Sequence, residues 1–444
     1  MPKVLHSEIV ESGTKMASTL QVVESDTGII SLERTVERNN IKNVCYTFDN
    51  GENAEIRTSL NFERALSMIE KLKNGSLSWS DTFVEGNVDN SEITWVRTEK
   101  EHAFTSTGIK FWRHQEAMEN FRAGIGNTVI STHISPEGMC NLKCAYCSVT
   151  YRDTASRIPL ERIKKYVTQL KERGLKAVIL TGGGEPTLYP HFNDLVLWLK
   201  NEMGLSIGLI TNGTQTKRIS DEAAKTFSWV RVSINIFNGW EKVIKLDRSR
   251  FSSDCVIGCS FVYTSENTAV DLSSLEETFK KVAGVATAVG ADYVRVLPNC
   301  LLTQDNLLAQ HRNLKKIFET LEDKRFFHQF KIHETPGSSE CHQAYFRPYL
   351  SEEPWTDGEP GTVFPCDSVV LNNSYAHFND EYKVCKLEDV GDFIDRKILM
   401  KFSPKEKCKG CVFTGNVNML ESWKSDGVSK FDEFSVPLKH EEFI

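Results

Sequence analysis

The alternation of apolar and polar positions changes character twice along this chain. Over about residues 4–96, short β-like stretches such as Leu20-Gln21-Val22-Val23 and Asn43-Val44-Cys45-Tyr46-Thr47-Phe48 alternate with turn residues such as Asp49-Asn50-Gly51. A helix is predicted near Asn61–Lys73, and a second from Phe111-Trp112 to Phe121 leads out of this part. From Thr128 onward the pattern becomes β then α, repeatedly. Strands are predicted at Thr128–Ile134, Ala177–Thr181, Ser206–Thr211, Trp229–Asn235, Val256–Tyr263 and Tyr293–Leu297, with helices at Leu160–Arg173, Phe192–Glu202 and Leu275–Val289. Six β units with helical crossovers imply parallel strands, whose C-terminal ends gather the residues that do chemistry. From about Ser338 to Lys430 the alternation breaks down, cysteines become dense, and a β-hairpin is predicted between Cys366 and Cys385. The expectation is a β-rich accessory domain over 1–125, an α/β core over 126–335, and a metal-bearing domain with its tail over 336–444.

Composition narrows the class. The 444 residues are 40% hydrophobic and 25% charged, ordinary for a globular protein with a large core. The net charge of −7 includes no basic block, so no non-specific binding to nucleic acid or anionic lipid is expected, although a specific nucleotide substrate stays open. The first residues, Met1 to Glu8, lack the basic patch and apolar run of a secretory signal. No stretch reaches about 18 continuous apolar residues. A soluble, cytoplasmic protein with no membrane partner is expected. Twelve cysteines are too sparse for a disulfide scaffold, and their clustering points to metal ligands in a reducing compartment.

Cys140-Asn141-Leu142-Lys143-Cys144-Ala145-Tyr146-Cys147 gathers three thiols just after the first strand of the βα core. Such spacing suits an iron–sulfur cluster, in which three local ligands leave one iron of a cubane open. Zinc, or buried free thiols, are the plainer alternatives. Downstream, Thr181-Gly182-Gly183-Gly184-Glu185-Pro186 follows the second strand, where glycines let the backbone approach a ligand and a carboxylate is placed to accept from an ammonium group. A plain turn is the alternative. Ser233 and Asn235 share one face of the fourth strand, where polar groups could reach a ribose, against ordinary strand-end capping. Thr264-Ser265-Glu266-Asn267, Arg295 and Asn299 are weaker candidates at the ends of strands five and six. Cys255 and Cys259, four apart on one strand and so about 13 Å distant, are read as core residues. Cys45, Cys300 and Cys341 are read as free thiols.

The spacing C-x-x-x-C-x-aromatic-C, with Tyr146 as the aromatic, resembles the signature of the radical S-adenosylmethionine superfamily. The stretch Gly183-Gly184-Glu185 resembles that family's Gly-Gly-Glu motif. The resemblance covers about residues 128–413. It implies a partial (β/α)6 TIM-like barrel and a [4Fe–4S] cluster on Cys140, Cys144 and Cys147. The open iron would chelate the amino and carboxylate groups of S-adenosylmethionine, with Tyr146 near the adenine and Gly183, Gly184 and Glu185 at the methionine amino group. The same resemblance makes Ser233 and Asn235 candidates for ribose contact.

Cys366 and Cys385, brought together by the predicted hairpin, would join Cys408 and Cys411 of Cys408-Lys409-Gly410-Cys411 in a four-thiolate set, for which sequence physics does not separate zinc from an iron–sulfur cluster. The order is similar to the twitch domain, the shortened relative of the SPASM domain, and departs from the longer cysteine run of the full SPASM pattern. It implies one auxiliary [4Fe–4S] cluster without an open iron, suited to electron transfer.

The resulting expectation is an enzyme that cleaves S-adenosylmethionine reductively to methionine and a 5′-deoxyadenosyl radical, which abstracts hydrogen from a small polar metabolite such as a sugar, aminocyclitol or nucleoside. Its electron donor would be a flavodoxin or ferredoxin. The alternatives are a peptide or protein maturase of the SPASM type and, from another class, a non-catalytic iron–sulfur or zinc-binding protein. The intact Gly-Gly-Glu stretch speaks against the last.

Overall fold

The computed structural model describes residues 98–144, 146–150, 152–234, 243–263, 272–302, 304–372, 380–426 and 438–444. In the amino-terminal part it also describes the backbone of seven strands. The predicted helix near Asn61–Lys73, and the candidates Asn235 and Thr264–Asn267, lie outside the described residues. The chain divides into two compact units, Met1–Arg113 with Met419–Glu441, and His114–Asn418 with Glu442–Ile444.

The first unit carries β1 (Lys3–Glu11), β2 (Ala17–Ser25), β3 (Gly28–Thr35), β4 (Asn40–Phe48), β5 (Asn53–Arg57), β6 (Phe83–Glu85) and β7 (Ile93–Arg97). They form one sheet in the order β1-β2-β3-β4-β5-β7-β6, with neighbours antiparallel. The helix expected to run from Phe111 to Phe121 is broken. A 3-10 turn spans Gly108–Arg113, His114 has a non-helical backbone, and an α-helix follows over Gln115–Ala123.

In the second unit β8 (Ser131–Ile134), β9 (Ala177–Leu180), β10 (Ser206–Thr211), β11 (Trp229–Ile234), β12 (Val256–Tyr263), β13 (Tyr293–Pro298) and β14 (Phe326–His328) lie side by side in chain order, all parallel. Six of these are the predicted strands. The seventh, β14, was not foreseen, because three residues are too few to show a period of two. Helices at Leu160–Lys171, Phe192–Asn201 and Leu272–Ala288 fall where expected, and a further helix at Gln304–Thr320 precedes β14. The first of them buries Ile163, Tyr166, Val167 and Leu170, the 3.6-period stripe of an amphipathic helix. Beyond β8 the sheet continues through β15 (Tyr349–Pro354), parallel to β8, then β16 (Pro360–Phe364) and β17 (Cys385–Lys386), both antiparallel. The result is an α/β fold on a mostly parallel ten-stranded sheet.

The predicted hairpin between Cys366 and Cys385 is not formed as expected. Val369–Asn372 and Asp380–Tyr382 are 3-10 turns, and the hairpin of this region is β15–β16, closed around Asp357-Gly358. β16 instead pairs with β15 on one side and with β17 on the other.

Residues paired across parallel strands point to the same face, so the ladders sort the side chains. Val178, Leu180, Ile207, Leu209, Val230 and Val232 share one buried apolar face. The Tyr166 hydroxyl of the Leu160–Lys171 helix meets Thr132 on that face at 2.8 Å. The other face carries His133, Arg231, Ser233, Ser260 and Arg295. Two glycines make room there for large rings. A Cβ on Gly208 would strike the Trp229 indole and one on Gly258 the Tyr293 ring. Cys255 and Cys259 are buried, and burial pushes both thiols up to about 12. Among the described residues no helix is long and apolar enough to cross a membrane.

Gly208→Ala is expected to destabilise the fold by about 1–3 kcal/mol, because the added methyl must displace a packed indole. Chemical denaturation checks this, and an unchanged midpoint would show that the Trp229 ring is free to move.

Candidate functional site

The C-terminal ends of β8, β9 and β10 each lead into a loop, and the three loops are laced together. After β8, Glu137-Gly138-Met139 runs into Cys140. After β9, the glycine-rich loop crosses it. Gly184 N–H donates to the Glu137 carbonyl and Glu185 N–H to the Met139 carbonyl, both at 2.8 Å. This contact is backbone on backbone, and a Cβ on Gly184 would collide with the Glu137 and Met139 carbonyls. Gly183 meets a different neighbour. Its N–H donates to Ser135 Oγ at 2.6 Å, and a Cβ would strike the carboxylate of Glu352.

Glu185 is buried, and its carboxylate is saturated by this chain. Oε1 accepts from Thr187 N (3.1 Å), Thr187 Oγ1 (2.7 Å) and Thr211 Oγ1 (2.6 Å), and Oε2 accepts from Asn212 N (2.8 Å). Burial pushes the carboxyl up from its ordinary value, against the pull of these four donors. Glu185 therefore joins the glycine-rich loop to the end of β10. Asn212 then completes the circuit. Its Nδ2 donates to Asn141 Oδ1 at 2.9 Å and lies 3.8 Å from Cys140 Sγ, while Asn141 Nδ2 donates to Thr214 Oγ1 at 2.7 Å.

Cys140, Cys144 and Cys147 are each partly exposed on this platform, and none is disulfide-bonded. Burial pushes the Cys140 thiol up, and the Leu142 N–H partly offsets this. Arg152 reaches over Cys147, with Nη1 3.7 Å from Sγ, and is anchored by Nε to the Gly138 carbonyl at 2.6 Å. Three thiols with an amide donor beside one and a guanidinium beside another form a set suited to thiolate ligation of iron. The Tyr146 hydroxyl donates to the Ile234 carbonyl at the end of β11, at 3.4 Å.

On the inward polar face, Ser233, Ser260 and Arg295 stand abreast on β11, β12 and β13, and Arg295 Nη2 donates to Ser260 Oγ at 2.9 Å. Arg231 Nε donates to the Tyr293 hydroxyl at 3.0 Å. Burial, then the neighbouring Arg231, lowers the Arg295 guanidinium to about 9. Asn299 instead serves its own turn, its Oδ1 accepting from Leu301 N at 3.1 Å.

Residues 134–257 match the family described as the Radical SAM superfamily. This chain carries a radical SAM domain. Such a domain binds S-adenosylmethionine and an iron–sulfur cluster, and the relatives of this one are named as enzymes. A probable GTP 3′,8-cyclase of Methanococcus vannielii is 23% identical over 46% of this chain and 73% of its own length. An S-adenosylmethionine-dependent nucleotide dehydratase of a Thermoplasmatales archaeon (strain ISO4-H5) is 30% identical over 27% of this chain, which spans 42% of the dehydratase. Among solved structures, Streptococcus suis SuiB bound to S-adenosylmethionine aligns with a TM-score of 0.45 at 14% identity, covering 65% of this chain and 73% of that one.

The remaining predicted ligands fall in a second place. Cys366, Cys408 and Cys411 line one cavity, and the structure does not bring Cys385 there. Cys341, read from sequence as a free thiol, lines it instead. Among the described residues, no three His, Cys, Asp or Glu side chains gather tightly enough to hold a single metal ion. Sequence reasoning also passed over Glu352 and Ser135, which hold Gly183 in place. Neither sits in a motif, and only the pairing of β15 with β8 brings them together.

Two outcomes test this geometry. Glu185→Gln sets an amide NH2 against a backbone N–H, of Asn212 or of Thr187, and is expected to cost about 1–3 kcal/mol of stability in denaturant titrations. Glu352 is fully buried, which pushes its carboxyl up to about 7 from the ordinary 4.5. The folded state therefore holds its proton more tightly than the unfolded chain does. The associated stability is present below about pH 4.5 and is lost as pH rises to about 7. Relative to wild type, Glu352→Gln should gain on the order of 3 kcal/mol across that window and stay level above it. A pH-independent difference would show that Glu352 is not buried as a carboxylic acid.

Proposed function

We propose that this protein is a radical S-adenosylmethionine enzyme acting on a small polar metabolite of the sugar, aminocyclitol or nucleoside class. The observation that carries the reading is the backbone lacing of Gly184 and Glu185 to Glu137 and Met139, the residues that lead into the Cys140–Cys147 loop, with the Glu185 carboxylate tying both to the end of β10. Sequential parallel strands with right-handed crossovers place their helices on one side, which supports a partial (β/α)6-type barrel extended by β14. Cys140, Cys144 and Cys147 would hold an iron–sulfur cluster, which would supply the electron for reductive cleavage of S-adenosylmethionine to methionine and a 5′-deoxyadenosyl radical.

The chain's own residues supply position. Cys140, Cys144 and Cys147 hold the cluster, with Arg152 and Asn212 directed at two of the sulfurs. The glycine-rich loop offers backbone groups to the methionine moiety. Glu185 acts there by shaping the loop, since both its oxygens are engaged within the chain. Tyr146 and Ser233 flank the adenosyl side, and Arg231, Ser260 and Arg295 line the polar face that would receive the substrate. A guanidinium pair amid hydroxyls suits an anionic or hydroxyl-rich molecule better than an apolar one. The relatives named for GTP and nucleotide chemistry point the same way. An auxiliary iron–sulfur cluster in the second cysteine cavity would accept an electron from the substrate radical, and a small reducing protein such as flavodoxin or ferredoxin would feed the first cluster.

Anaerobically reconstituted protein, given S-adenosylmethionine and a strong reductant, is expected to form 5′-deoxyadenosine, and Cys144→Ala to reduce this at least about a hundredfold. Absence of 5′-deoxyadenosine from iron-replete wild type would overturn the reading.

A further inference from the structure

Four thiols meet in the second cysteine cavity from three separate places in the chain. Cys341 immediately precedes the 3-10 turn His342–Tyr345, Cys366 lies two residues past β16, Cys408 caps the short helix Pro404–Lys407, and Cys411 follows it by three residues. All four line the same cavity, along with Gln343 and Phe413. They are also close enough to feel one another's charge: Cys341 that of Cys411 and Cys408, Cys366 that of Cys341 and Cys411, and Cys408 that of Cys366 and Cys411.

Cys385 belongs to the opposite side of the sheet. It pairs with Val363 across β16–β17, and paired residues share a face. The next residue, Phe364, points the other way, into the apolar cluster of Tyr349, Tyr382 and Phe402 against which Cys366, Cys408 and Cys411 pack. The segment after Cys385 is fastened to the Leu160–Lys171 helix and the turn that follows it. Arg162 pairs with Glu388 at 2.7 and 3.0 Å, Arg173 with Asp395 at 2.8 and 2.7 Å, and Gln169 Oε1 accepts from Gly391 N at 3.1 Å. Moving Cys385 to the cavity would require a flip of the strand and loss of these contacts.

We infer that Cys341, not Cys385, is the fourth thiolate of the auxiliary cluster, with Cys366, Cys408 and Cys411. This rests on the reading of the cavity as an iron–sulfur site. Its surroundings fit a thiolate-rich, negatively charged group. Phe413 N–H lies 3.4 Å from Cys411 Sγ, and Lys331 and Arg347 both stand 4.6 Å over the Phe413 ring that lines the cavity. The hairpin flanked by the first two ligands is then β15–β16.

The test uses the full chain with Cys140, Cys144 and Cys147 replaced by Ala, so that only the second site remains. After anaerobic reconstitution this parent should hold about four irons. Adding Cys385→Ala should leave the iron count and the EPR spectrum of the reduced cluster unchanged, whereas Cys341→Ala, which opens one iron, should shift the EPR spectrum or lose iron. Cys341→Ser, which offers an oxygen ligand and little change in volume, should keep a cluster with a shifted EPR spectrum. Loss of iron from Cys385→Ala, with Cys341→Ala and Cys341→Ser unaltered, would overturn the assignment and leave the auxiliary cluster standing. A parent that takes up no iron would remove the cluster itself.

Discussion

The carboxylate of Glu185 is the constraint on which the rest of the site depends. One buried anion receives hydrogen bonds from Thr187, Thr211 and Asn212, and so fixes the glycine-rich loop of β9 to the end of β10. That loop in turn lies on the backbone of residues 137–139, close enough that Gly184 admits no side chain. The three cysteines therefore start from a rigid base although their own loop is partly exposed. A charge buried this deeply is retained only where several donors face it, which makes the arrangement all-or-none.

A second charged cluster, only partly buried, ties the two cysteine sites to one framework. Asp367, next to Cys366, reaches His133 on β8 at 3.2 Å and Arg347 at 3.2 Å. Burial raises the Asp367 carboxyl, but His133 and Arg347 together hold it below its ordinary value. The polypeptide that leaves the auxiliary cavity is thereby pinned to the strand that feeds the first cysteine loop. Both sites are thus referred to a common strand, β8, and their separation is set by the sheet.

Much of this was legible in the sequence because it is written in local periodicity. The β-branched and apolar runs at residues 206–211 and 256–263 became strands with those bounds, and the cysteine and glycine motifs fell at strand ends, as parallel βα order requires. The errors arose where long-range pairing overrode local pattern. Ser368–Leu371 has β character, yet Val369–Asn372 forms a 3-10 turn and the strands that pair here are β15, β16 and β17, so the cysteine pairing built on the predicted hairpin failed. Cys341 looked solitary because its partners are 25 to 70 residues away, and Glu352 had no motif at all. Glu185 stood out in its motif, but what it accepts from could not be read from spacing, since Thr211 and Asn212 lie at the end of another strand.

The proposed role of Cys140, Cys144 and Cys147 as ligands of a cluster that binds S-adenosylmethionine is open to EPR of the reduced, reconstituted protein with and without S-adenosylmethionine. Addition of S-adenosylmethionine should shift the signal of one cluster, and this response should be absent in Cys144→Ala. A spectrum identical with and without S-adenosylmethionine, in iron-replete wild type, would contradict it.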